Sequence, residues 1–234
     1  MTLVWACKND SKSDTNSEAA QAESEFPAGA TFAVTLDGKR LMEIPEPDTV
    51  LAAQKAQLET ARSFYLGHLS DVKSYLGYGA TALKFGMVEL ALQILTKGID
   101  KFPNTSDLYL YRGMAAVQGR QFTSAINDLW KAGKAVEGQP NVKGLLEKTP
   151  EEIKIDASLH YEIYKWMGLA FQCQGDFSNA EKMYEICSDF STNSDLYCMA
   201  YYWQYQAFVR AGRENDAKAI LERADAKMFI SPVT

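Results

Sequence analysis

The chain has 234 residues and sets 24 Lys and Arg against 30 Asp and Glu, a formal charge of −6, with 47% hydrophobic residues. That length suits one ordinary folded unit or a short repeat array, and 12 Tyr, 11 Phe and 4 Trp supply apolar surface for a core. The acidic balance and the lack of a basic run argue against nucleic acid, whose affinity rests on phosphate neutralisation. No stretch approaches the ~20 apolar residues that a membrane-crossing helix needs.

Residues 1–26 divide into an apolar start, Met1 to Ala6, then Cys7, then a run from Lys8 to Glu25 that is almost wholly polar. Such a run cannot bury a core. Leu3-Val-Trp-Ala-Cys7 resembles the end of a bacterial lipoprotein signal, which implies lipidation at Cys7, a tether behind it, and a lipid-anchored place in the bacterial cell envelope, periplasmic or outer-membrane. Only six residues precede Cys7, none of them basic. An accidental cysteine and a cytoplasmic protein are therefore the alternative.

Over 27–47, Thr31-Phe-Ala-Val-Thr-Leu36 is apolar at alternate positions and is followed by Asp37-Gly38. It predicts a short extended clasp ending in a turn. Pro45-Glu-Pro-Asp48 then supplies a turn and an N-cap, and Leu51, Ala52, Ala56, Leu58, Ala61, Phe64 and Tyr65 recur near helical spacing. A cap helix is expected over 48–68.

From Val72 onward four segments align on a 34-residue frame: Val72–Thr105, Ser106–Gln139, Tyr161–Ser194 and Cys198–Ser231. Position 4 carries Tyr75, Tyr109, Tyr164 and Tyr201. Position 8 carries Gly79, Gly113 and Gly168, with Tyr205 as the exception. At position 15 stand Gly86, Gly175 and Gly212, while Gly119 comes one place early in the second segment. Position 20 is alanine throughout, at Ala91, Ala125, Ala180 and Ala217. Position 24 carries Leu95, Leu129, Tyr184 and Leu221, and position 27 the small Gly98, Ala132, Cys187 and Ala224. Small residues at 8, 20 and 27 let two antiparallel helices approach, and large ones at 4 and 24 fill between them. Tyr205 predicts wider or differently crossed helices in the fourth unit. One hairpin cannot bury its apolar face alone, so the units are expected to stack.

With Pro103 and the segments Tyr75-Leu-Gly-Tyr-Gly79 and Trp166-Met-Gly-Leu-Ala-Phe171, these positions resemble the tetratricopeptide repeat family over roughly Val72 to Ser231. The resemblance implies an all-α fold: a right-handed helical-hairpin solenoid of about four repeats, paired as 72–139 and 161–231, behind an N-terminal cap helix. Residues 140–160 interrupt the frame. Thr149-Pro-Glu-Glu152 reads there as a helix cap, and the simplest expectation is a lengthened first helix in unit three.

The family resemblance also implies a partner-binding groove lined by the first helices. Carried over position by position, it is lined among others by Tyr111, Met114, Lys165, Trp166, Gln172, Tyr202, Trp203, Gln206 and Arg210. Aromatic and arginine anchors suit a protein or peptide, while the bland reading has Trp166 and Trp203 packing on the next helix. Where carboxylate-clamping members of the family repeat Lys and Asn, no Asn stands in the matching positions. The expected function is a non-enzymatic binding scaffold without cofactor or metal, with self-association through exposed end faces as an alternative.

A hydrolase site within 140–160, motivated by the acidic Glu151, Glu152 and Asp156 and by His160, is a further alternative, against which a helix cap or solvated face explains the carboxylates more simply. His68, at a helix end, suits the helix dipole. Cys173, Cys187 and Cys198 lack zinc-site spacing and read as core thiols, with a Cys187–Cys198 disulfide as an option in an oxidising compartment.

Overall fold

The computed structural model describes residues 32–34, 40–42, 48–146 and 157–227. The chain divides at Leu51 into two units. In the first, the alternating segment forms strand β1, Phe32–Val34, which pairs antiparallel with β2, Arg40–Met42, in the register Phe32 to Met42 and Val34 to Arg40. The sequence predicted the first strand and not its partner. Beyond this hairpin, every regular element among the described residues is a helix.

Helix α1, Asp48–Gly67, starts at the expected Asp48. Its docking is narrower than its apolar pattern suggests. Tyr65 is buried, edge-on to Tyr75 at 5.0 Å and 5.5 Å from Tyr78, with Leu58 and Ala61 leaning on the same cluster, whereas Leu51, Phe64 and Leu66 stay exposed.

Four hairpins follow: α2, Val72–Lys84, with α3, Val88–Lys101; α4, Ser106–Gln118, with α5, Phe122–Ala135; α6, Leu159–Gln174, with α7, Phe177–Asp189; and α8, Ser194–Arg210, with α9, Glu214–Lys227. Side-chain caps start four of these helices, from Asp71 to the Lys73 amide, Ser158 to Tyr161, Asp176 to Asn179 and Asn193 to Leu196. Gly86, Gly175 and Gly212 turn three hairpins at φ of 73°, 82° and 71°. In the second hairpin Gly119 is one place early, and Arg120 takes the left-handed conformation at φ 58°.

The frame works as its chemistry requires. A methyl group on Gly79 would lie 2.7 Å from Leu95 Cγ, one on Gly113 2.7 Å from Leu129 Cγ, and one on Gly168 2.5 Å from Tyr184 Cε1. Position 8 is therefore small because position 24 fills the space. Ala91, Ala125, Ala180 and Ala217 are all buried. Where Tyr205 replaces the glycine, its partner cannot enter: Leu221 is 50% exposed, and Tyr201, Phe208, Ala217 and Ile220 form the core with Tyr205 packed against them.

Interruption of the frame does not lengthen α6 back to Thr149. The helix begins at Leu159, capped by Ser158, because Ala157 and Ser158 are already in non-helical backbone. Thr149, Glu151, Glu152 and Asp156 lie outside the described residues. Residues 141–146 run without helix across the body. The Leu145 N–H donates to Asp107 Oδ1 at 2.6 Å, the Leu159 N–H to the Val142 carbonyl at 2.8 Å, and Asn141 Nδ2 to the Phe190 carbonyl at 3.3 Å.

Candidate functional site: the first-helix face

Each second helix packs on the first helix of the next unit, α3 on α4, α5 on α6 and α7 on α8. Successive first helices also meet directly, α2 with α4 and α4 with α6. Direct contact between first helices thus runs through the first three units, and the fourth unit joins the stack through α7.

On α4, Tyr111 and Met114 are half-buried against the core around Tyr75, Leu76 and Leu95. Met114 also reaches the cluster of Leu110, Val117, Ile163 and Met167, on which Trp166 leans from α6. Trp166 is held by its indole, whose Nε1 donates to Glu162 Oε2 at 3.2 Å, and the same oxygen takes Lys165 Nζ at 2.6 Å. Lys165 lies 5.7 Å from the Trp166 ring centre. This ion pair and cation–π contact fix the indole while leaving it partly open.

A second group forms around Tyr184. Trp203 stacks on that ring at 6.1 Å, and Tyr202 meets Trp203 edge-on at 5.4 Å while 56% exposed. Gln206 is half-buried and Arg210 exposed. Gln172 differs from its expected place: it is 7% exposed, and its amide oxygen accepts the Tyr184 hydroxyl at 3.1 Å. A phenol buried at that depth needs an acceptor, so Gln172 serves the hairpin core instead of facing a partner.

His160 is 2% exposed, stacked on Phe190 at 4.4 Å, with Nε2 3.1 Å from the Val136 carbonyl. It joins the end of α5 to the end of α7. Cys187 is buried and its thiol donates to the Tyr161 carbonyl at 3.3 Å, and burial pushes that thiol up, so it stays protonated at neutral pH. Cys173, Cys187 and Cys198 are not disulfide-bonded. Cys7 lies outside the described residues.

Two features escaped the sequence. Asp107 stands at a groove position of the frame but is buried beneath residues 144–145, and desolvation raises its carboxyl above the ordinary value. Trp130, on the solvent side of α5, is 53% exposed. Its signal was its place directly after the core Leu129, which turns it outward.

No family model matches the chain, and no curated protein matches its sequence. Solved structures do match the helical stack. Two crystal structures of MamA align at 16% and 18% identity, covering 80% and 79% of this chain and 92% and 96% of theirs, with TM-scores of 0.57 and 0.56. TTC0263, a thermophilic TPR protein of Thermus thermophilus, aligns at 16% identity over 75% of this chain and 84% of its own, with a TM-score of 0.53. The chain has a tetratricopeptide-repeat fold. At these identities the likeness is one of architecture, and it agrees with the glycine and alanine frame of the TPR hairpins described above.

Proposed function

We propose that this chain is a non-enzymatic scaffold that holds an extended segment of another protein along its first-helix layer. The observation that carries this reading is the set of partly open rings on two first helices, Trp166 on α6 and Tyr202 and Trp203 on α8. Each ring is anchored on one side and open on the other, which is how interface anchors combine low ordering cost with large contact area. Lys165 and Arg210 supply polar contacts beside them. The TPR fold favours such a role, and the burial of His160 against Phe190 argues against the hydrolase alternative.

The same proposal sets the scaffold in a bacterial envelope, held by lipid at Cys7. Its support is the sequence Leu3-Val-Trp-Ala-Cys7 and the polar run behind it. Expressed with any upstream sequence in a bacterium, the protein should enter the membrane fraction and incorporate labelled fatty acid, and Cys7→Ser should release it. Soluble, unlabelled native protein would favour a cytoplasmic scaffold.

Self-association through the fourth unit is the second reading, favoured by Val209 and Leu221, both exposed large apolar side chains. Light scattering decides it: a strict monomer removes that reading and leaves the groove untouched. For the groove, affinity capture with native protein and with a Trp166→Ala, Trp203→Ala variant should give different partners. Identical partners would discard these rings as the binding surface.

A further inference from the structure

A cleft separate from Trp166, Tyr202 and Trp203 opens at the seam between the second and third hairpins. Trp130, Gly133, Lys134 and Glu137 line it from α5 and the turn after it, and Tyr164 and Met167 from α6. Three observations give it the character of a built site. The first is Gly133. A methyl group there would touch nothing closer than 3.6 Å, at the Tyr164 hydroxyl, whereas Gly79, Gly98, Gly113 and Gly168 are each forced by contacts of 3.0 Å or less. Gly133 is buried at the base of the cleft, where a methyl group would rest in ordinary contact with Tyr164 and Ile163, so packing does not force this helical glycine.

The second observation is the pair of aromatic walls. Trp130 presents a largely open ring, and Tyr164 is half-buried with its ring parallel to Phe190 at 5.9 Å, which fixes its orientation. The third is that a cation already rests there. Lys134 Nζ lies 5.7 Å from the Trp130 ring centre and 2.9 Å from Glu137 Oε2. An aromatic face beside a carboxylate is the chemistry that receives a cationic side chain.

We propose that this cleft is a binding site for an arginine side chain of a partner protein, and that Lys134 occupies its cation position until the partner arrives. Arginine fits better than lysine because a planar guanidinium stacks on an indole while donating two parallel hydrogen bonds to one carboxylate. Glu137 supplies that carboxylate and the exposed Trp130 ring supplies the face on which the flat group stacks. The site stands independently of the first-helix groove and of any lipid at Cys7.

The full chain labelled with 5-fluorotryptophan provides the test, its Trp130 resonance assigned by Trp130→Phe. Acetyl-Gly-Arg-Gly-amide should shift that resonance saturably, and the same peptide with neutral citrulline should not. Lys134→Ala removes the resident cation and should tighten arginine-peptide binding about threefold, whereas Glu137→Gln should weaken it. Trp130, Lys134 and Glu137 are exposed, so their variants should fold, which circular dichroism checks. Equal shifts with arginine and citrulline, no shift with either, or binding that Lys134→Ala leaves unchanged or weakens would overturn the proposal.

Discussion

Glycine carries two opposite meanings in this chain, and substitution separates them. At Gly168 a methyl group would collide with the Tyr184 ring at 2.5 Å, so Gly168→Ala should cost about 1–3 kcal/mol as the ring is pushed from its place. At Gly133 nothing blocks the methyl, and Gly133→Ala should stabilise by about 1 kcal/mol through helix propensity alone. Urea denaturation of the two variants checks the opposed signs. Position 8 of the frame was legible in the sequence because small and large residues alternate there in register. The tolerance at Gly133 was not, because one sequence does not say which glycines are sterically forced. Arg120 is a related case. It holds a left-handed conformation that disfavours a side chain by about 1 kcal/mol or more, so Arg120→Gly should raise the melting temperature.

Between helices, polar contacts the frame did not foretell fix the register. Arg112 on α4 meets Asp128 on α5 twice at 2.7 Å, Nε to Oδ2 and Nη2 to Oδ1, and reaches Thr96 on α3 at 3.1 Å. Asp128 is buried, so Arg112→Ala strands a carboxylate and should cost about 2–3 kcal/mol. An Arg112→Ala, Asp128→Asn double variant should lose less than the single one in the same denaturation experiment. Asp107 carries the opposite electrostatic sign. Its carboxyl is raised by burial, so the folded state favours the protonated form, and stability is lost as pH rises from the ordinary value near 3.8 through the raised one. Asp107→Asn keeps an acceptor for the Leu145 N–H and carries no charge. It should be more stable than the native protein at pH 7, with the gap closing toward acid pH, as thermal melts across that range would show. The hairpins themselves were legible from period and turn glycines. The start of α6 was not, since the non-helical path into Leu159 depends on contacts with Val142 and Asp107 that no local pattern encodes.

Four hairpins share one continuous stack because each second helix packs on the first helix of the next unit. This packing determines which predicted groove residues keep an open face. Tyr202, Trp203 and Trp166 keep open faces, and Gln172 does not, because Tyr184 stands at position 24 where the three other units have leucine and its hydroxyl requires an acceptor. The resemblance supplied the groove positions, but only packing shows which of them the core has claimed. The scaffold reading is tested most directly by photo-crosslinking in the native host. With p-benzoylphenylalanine at Tyr202, the protein should form a discrete adduct with another protein, lost when Trp166 and Trp203 are changed to Ala, and the same probe at Lys182 on α7 should form none. Identical adducts from both positions, or an adduct at Tyr202 that survives the loss of both indoles, would contradict a partner held along the first-helix layer.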